Sequence, residues 1–395
     1  MRVNYGQSVH GLDEIRAVVK VLKTSTQMGR NVFELEKKIS RLFSKKYGVM
    51  VNSGSSALML AFEILNFKKK DEVITPVLTF SSTVTSIVKN GLKPVFVDVV
   101  ANTFCIDVTK IEKLITKKTR AICVPNLIGN LADWREIKKI SKKYNLILIE
   151  DSADTVGAKI LNKSSGFYSD ISITSFYGSH IINGAGNGGM LCLNNFKMYK
   201  DALLLRSWGR SSSIYKENSE KIENRFNIKL NKIEYDKKFV FEKMGYNLEG
   251  SELSAAFALV QLKKLDHLIN IRERNFNLHY KFFEKYDDCF ILPKQLPNSK
   301  TAWLAFPLII KDSAKFKRKD LQIYLEKKNI QTRVVFTGNI LKQPGFRFLK
   351  KNNKEYPESD FVMRGGILIG CHQGLNNKHI NYIHKIFKQF IKINI

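Results

Sequence analysis

Short apolar runs alternate with polar stretches of helical spacing between residues 46 and 195. Six runs read as strands: VITP (73–76), PVFVDV (94–99), AICVPN (121–126), LILIED (146–151), ISITSF (171–176) and GGMLCL (188–193). They are rich in β-branched residues and mostly lack strict alternation, the pattern of strands covered on both faces. Between them, SSALMLAFEIL (55–65) and DWREIKKISKKY (133–144) repeat apolar residues at helical intervals. The alternation predicts an α/β fold built on a mainly parallel sheet. Residues 211–243 are charged and weakly periodic, a long excursion before SELSAAFALVQLKKLDHLINIRER (251–274), which reads as one long amphipathic helix. The remainder mixes strands (WLAFPLII, 303–310; TRVVF, 332–336) with helices and ends in an amphipathic one. The expected division is therefore a large domain over residues 1–250 and a smaller α+β domain over 251–395.

Composition narrows the class. A chain of 395 residues with 44% hydrophobic content and 26 Phe can bury a sizeable core. Its apolar runs fall short of the roughly 20 residues that span a bilayer. The start, MRVNYGQSVHGLDEIRAVV, carries no export signal, so the cytoplasm is the expected compartment. Five scattered cysteines, with no CxxC and no metal-ligand spacing, read as buried thiols, and no metal site is expected. The net charge of +29 would suit nucleic acid, an anionic membrane or phosphorylated small molecules. Lysines are dispersed in short groups such as Lys68–Lys70, without interleaved aromatics, which argues against nucleic acid or a membrane as the main partner.

Three stretches carry candidate chemistry. VNSGSSALML (51–60) puts small residues at a strand-to-helix junction, where Ser55, Ser56 and free backbone N–H groups suit a phosphate; a serine there is also an ordinary N-cap. LILIEDSADTVGA (146–158) runs a strand into Asp151, which at the carboxyl edge of a parallel sheet faces the ligand crevice, or else caps the next helix. TPVLTFSSTVTSIV (75–88) sets Phe80 past another strand end, to stack on a flat cofactor or to fill core.

With MGRNVFELEKKIS, KPVFVDV, SFYGSH, LRSWGR and MGYNLEGSELSAAFALVQLKKLD, these stretches follow one another in the order of a known family. The chain resembles the sugar aminotransferases of fold type I, pyridoxal phosphate enzymes that act on nucleotide-linked 4-keto sugars. The resemblance implies a large domain with a seven-stranded, mainly parallel sheet and a smaller α+β domain. It also implies that Ser55, Ser56 and Ser175 hold the cofactor phosphate, that Phe80 stacks on the ring and that Asp151 pairs with the pyridine nitrogen. Asn247 is similar to an asparagine that reaches the phosphate of a neighbouring subunit, which implies a homodimer with shared active sites.

His180 stands where the aminotransferases keep their cofactor-anchoring lysine, and there the chain resembles the sugar 3-dehydratases. Asp154 matches that subgroup's acidic residue among the cofactor contacts. TRVVFTGNILKQPGF (332–346) and YPESDFVMRGGILIGCHQGL (356–375) match its C-terminal signatures. Three serines follow Trp208-Gly209-Arg210, where one branch has cluster-binding cysteines. The chain thus looks like the cluster-free branch, whose known member acts on GDP-4-keto-6-deoxy-D-mannose. Imidazole makes no stable Schiff base, so the resemblance implies a noncovalently held pyridoxamine phosphate, His180 as proton carrier, loss of the C3 hydroxyl, and glutamate as amino donor. Two alternatives are an aminotransferase-like enzyme that uses His180 and a cofactor-binding scaffold without turnover. Glu249 departs from the family's basic residue at that position; Arg333 is a candidate to supply the charge.

Overall fold

The computed structural model describes residues 1–215, 221–350 and 354–394; part of the charged excursion, residues 216–220, lies outside them. The central sheet contains β1 (Tyr47–Val51), β2 (Glu72–Pro76), β3 (Lys93–Val97), β4 (Thr119–Pro125), β5 (Ile147–Asp151), β6 (Ile171–Ser175) and β7 (Gly189–Leu193). Their order is β1-β7-β6-β5-β4-β2-β3. Only β7 runs antiparallel to its neighbours, and the remaining pairings are parallel. Every residue of β2, β6 and β7 is buried, as an apolar run between two helical layers requires.

Around this sheet lie α1 (Leu12–Leu22), α2 (Arg30–Leu42), α3 (Gly54–Glu63), α4 (Ser81–Lys89), α5 (Trp134–Tyr144) and α6 (Phe196–Arg206). Local chemistry sets their ends. The Asp133 carboxylate accepts the Glu136 N–H to start α5, and Asn145, left-handed at φ 52°, stops it. Because β4, β5 and β6 are parallel neighbours, their carboxyl ends bring Pro125, Asp151 and Ser175 to one edge, above which a crevice opens.

The long helix expected over 251–274 is two helices, α7 (Glu252–Lys263) and α8 (Leu265–Phe283), meeting at Lys264. The pair straddles two cores. Ala255 and Ala258 of α7 pack with Val32, Leu35 and Ile39 of α2, whereas Phe276, Phe282 and Phe283 of α8 belong to the second core. That core lies on an antiparallel sheet of β8 (Phe290–Ile291), β9 (Phe306–Ile310), β10 (Thr332–Val334) and β11 (Gly366–Ile369), in the order β8-β9-β11-β10. It is completed by α9 (Arg318–Lys327), α10 (Pro357–Gly365) and α11 (Asn377–Asn394). The strand expected over 303–310 begins only at Phe306 because the Trp303 and Leu304 carbonyls face Arg272 instead of a neighbouring strand.

Two histidines form a pair against this core. His279 Nε2 lies 3.1 Å from the Gly370 carbonyl, so that nitrogen carries the proton and Nδ1 accepts from His384 Nε2 at 3.0 Å. All five cysteines are buried and free, as expected.

The Trp208-Gly209-Arg210 turn fixes the root of the excursion. Gly209 has φ 84°, and a Cβ there would stand 1.8 Å from the Lys243 carbonyl oxygen. Gly209→Ala should lower the unfolding free energy by about 2 kcal/mol or more, read from a urea midpoint; an unchanged midpoint would contradict this packing.

Candidate active site

A cavity of about 640 Å³ occupies the crevice at the sheet edge. Asp151 from the end of β5, Ser175 from the end of β6, Ser55 from the first turn of α3, and Phe80 at the N-cap of α4 all line it. Asp154 and His180, from the loops after β5 and β6, line it as well. Two expected residues lie elsewhere. Ser56 donates its hydroxyl to Asn52 Oδ1 at 2.6 Å and faces adjoining pockets, one of which it shares with Glu249. Asn247 is exposed on the outer surface, its backbone bridged to Ser207.

Asp151 accepts from the Thr83 hydroxyl at 2.9 Å and from the Ala153 N–H at 3.2 Å. Among the described residues no Lys or Arg forms an ion pair with it, and burial pushes its carboxyl up to about 6. A buried carboxylate so placed is stabilised by any cation entering the cavity. Asp154 has one oxygen held by the Ile128 N–H at 2.9 Å, and burial pushes it up to about 7. His180 Nδ1 lies 3.3 Å from the Ser175 carbonyl, so Nδ1 carries the hydrogen and Nε2 keeps its lone pair, 3.8 Å from Asp154 Oδ1. Burial also pushes His180 down to about 4, so the ring is neutral at ordinary pH.

The backbone on both sides of His180 is clamped. Arg272 Nη2 donates to the Ser179 carbonyl at 3.4 Å, and Gln373 Nε2 to the Ile181 carbonyl at 3.5 Å. The two clamps join through Arg272 Nε and Gln373 Oε1 at 2.6 Å. Arg272 also donates to the carbonyls of Trp303 and Leu304, so one fully buried guanidinium ties the loop after β6 to the second core. Neighbours in the C-terminal signature extend this frame: His372 Nε2 lies 3.1 Å from the Asn4 carbonyl and its Nδ1 accepts the Gly374 N–H.

Sequence reasoning missed Thr83, Arg272, Gln373, Tyr5, Tyr177 and Phe336. The TFSST stretch held a signal for Thr83, since a hydroxyl in the first turn of α4 lies within reach of the neighbouring strand ends. Arg272 gave none, because a single arginine on an amphipathic helix reads as solvated. Phe336 meets Phe80 edge to face at 5.9 Å, and among the described residues Arg333 is the only Lys or Arg lining the cavity.

Residues 10–388 match the DegT/DnrJ/EryC1/StrS aminotransferase family. The chain belongs to this family. It is 31% identical to the lipopolysaccharide biosynthesis protein RfbH of Salmonella typhimurium, over 98% of this chain and 91% of that protein. It is equally 31% identical to the GDP-4-keto-6-deoxy-D-mannose 3-dehydratase of Escherichia coli O55:H7, over 95% and 96% of the two chains. The structure of the E. coli GDP-4-keto-6-deoxy-D-mannose 3-dehydratase with bound hydrated PLP superposes with a TM-score of 0.86 at 28% identity, covering 98% of this chain and 100% of that one. The α/β fold expected from the strand pattern is thus that of the PLP-dependent family members.

The clamp has a direct stability consequence. Arg272→Met strands four acceptors and should lower the unfolding free energy by about 3 kcal/mol, measured by urea titration; wild-type stability would show that the guanidinium holds nothing.

Proposed function

We propose that this chain is a 3-dehydratase that removes the C3 hydroxyl of a nucleotide-linked 4-keto-6-deoxyhexose, with GDP-4-keto-6-deoxy-D-mannose as the favoured substrate. The observation that carries the reading is the neutral imidazole of His180 lining the cavity beside Asp154, in the SFYGSH stretch whose resemblance puts it where the aminotransferases keep their lysine.

The cavity suits pyridoxal or pyridoxamine phosphate. Ser55, Ser175 and the free N–H groups at the start of α3 would receive the phosphate. Phe80 would stack on the ring, and Asp151 would meet the protonated ring nitrogen with its Thr83-oriented carboxylate. Bound in its amine form, the cofactor supplies a primary amine for a ketone and a conjugated electron sink. Asp151 sustains that sink by keeping a positive charge on the ring nitrogen. His180 Nε2 takes a proton from an acidified carbon and delivers it to the hydroxyl leaving C3, which departs as water. With no lysine at position 180 to recapture the nitrogen, the unsaturated amino sugar would leave to solvent, where water supplies the C4 oxygen and ammonia departs. Glutamate is the proposed donor that restores the amine form; a related dehydratase has been captured with a PLP–glutamate geminal diamine.

The exposed apolar side chains around the excursion, Phe239, Phe241, Met244 and Tyr246, flank Asn247. They suit a homodimer in which Asn247 reaches the partner's phosphate site. A second reading, transfer of an amino group to the sugar, draws on the 32% identity to the GDP-perosamine synthase of Caulobacter vibrioides over 63% of this chain.

Incubation with glutamate, cofactor and GDP-4-keto-6-deoxy-D-mannose should yield a 4-keto-3,6-dideoxy sugar by mass spectrometry. His180→Asn should slow that reaction about a thousandfold; a 4-amino sugar that keeps its C3 oxygen would instead establish transfer. Cofactor affinity, followed by absorbance, should fall as pH drops through about 6, because protonated Asp151 no longer pairs with the ring nitrogen. Affinity independent of pH between about 5 and 7.5 would remove Asp151 from that role.

A further inference from the structure

We propose that Asp154 is the proton partner of His180: a positioning carboxylate that holds the imidazolium formed when Nε2 accepts a proton and so sets the pH at which the base is free. The inference rests on the dehydratase reading for its chemistry, but the pair is a feature of the folded chain.

The geometry makes the two groups a unit. Nδ1 of His180 is committed to the Ser175 carbonyl, which leaves Nε2 as the basic nitrogen. Asp154 Oδ1 faces that nitrogen from 3.8 Å away. Its other oxygen, Oδ2, takes the Ile128 N–H at 2.9 Å. That donor comes from a strained turn: Ile128 has φ 59° and ψ 12°, a left-handed conformation that a β-branched side chain rarely adopts. Such strain persists only where surrounding packing over-determines it, and Ile128 is fully buried between the sheet edge and the second core. The turn therefore aims an N–H at Asp154 and fixes which carboxylate oxygen faces the histidine.

The surrounding charges give the pair a definite starting state. Arg272 and Asp151 act on the pair, Tyr177 meets the His180 ring edge to face at 5.8 Å, and Tyr5 and Arg333 line the same cavity. Burial raises Asp154 and lowers His180, so in the resting site the carboxyl takes up a proton before the ring does, with Oδ1 standing 3.8 Å from the Nε2 lone pair. Above about 7 no proton lies between Oδ1 and Nε2, with Asp154 ionised and His180 neutral and protonated only on Nδ1. Below that, Asp154 carries the proton, and closing the 3.8 Å gap to hydrogen-bond distance would let its O–H donate to Nε2 and cover the lone pair. During turnover one proton enters at Nε2, Asp154 stays a carboxylate beside the imidazolium, and the same proton leaves with the hydroxyl as water, returning the pair to its starting charge.

The test compares wild type with Asp154→Asn and the carboxylate-retaining Asp154→Glu. In apoprotein, the rate of diethylpyrocarbonate modification at residue 180, mapped by peptide mass spectrometry, should fall about tenfold from about pH 7.5 to 5.5 in wild type. It should change less than about twofold in Asp154→Asn and regain the pH dependence in Asp154→Glu. In holoenzyme, kcat/KM should rise through about pH 7 in wild type, whereas Asp154→Asn should be about 30-fold slower and flat over that range. Superposable labelling profiles in wild type and Asp154→Asn would overturn the pairing, even if wild type dehydrates its substrate. A wild-type enzyme that produces only amino sugar would overturn the dehydratase reading while the labelling profiles still report on the pair. Loss of fold in Asp154→Asn leaves Asp154→Glu to decide, since a pH-independent label there would also overturn the proposal.

Discussion

The site depends on burying two carboxylates and an imidazole together at the edge of a parallel sheet. Water would keep both aspartates ionised and leave the histidine near its ordinary value. In the crevice, desolvation pushes Asp151 and Asp154 up and His180 down. The shifts differ in consequence, since Asp151 gains strongly from an incoming cation whereas His180 stays unprotonated, as the proposed base must.

Such burial requires a rigid frame, because a solvated loop would let water restore the ordinary values. The frame reaches far from the cavity. Arg272 and Gln373 hold the carbonyls on either side of His180, Ile128 holds Asp154 from a strained turn, and Thr83 orients Asp151. The Ile340 N–H and Thr337 hydroxyl bond the backbone after β2, fastening the C-terminal signatures to the crevice wall. The first signature thus secures the crevice wall, and the second, through Gln373, holds the histidine loop.

Much of the fold was legible because β-branched runs and helical spacing report directly on which faces are buried. VITP, LILIED and ISITSF fall on strands of the sheet, and Asp151 on its edge follows from strand polarity alone. The break at Lys264 and the late start at Phe306 were hidden, since amphipathic periodicity continues through the first and the second depends on a distant arginine. The histidine's position was legible only through the ordered motifs around it. Its tautomer and its facing carboxylate were not, because both depend on backbone carbonyls and on a turn that no side-chain pattern encodes.

In the proposed reaction, a neutral histidine in place of the lysine turns an aminotransferase framework toward loss of a hydroxyl. The most direct measurement uses GDP-4-keto-6-deoxy-D-mannose labelled with oxygen-18 at C3, with glutamate and cofactor present, and follows the label. It should appear in water, with one ammonia released per label lost. Label retained in a nitrogen-bearing sugar would contradict dehydration.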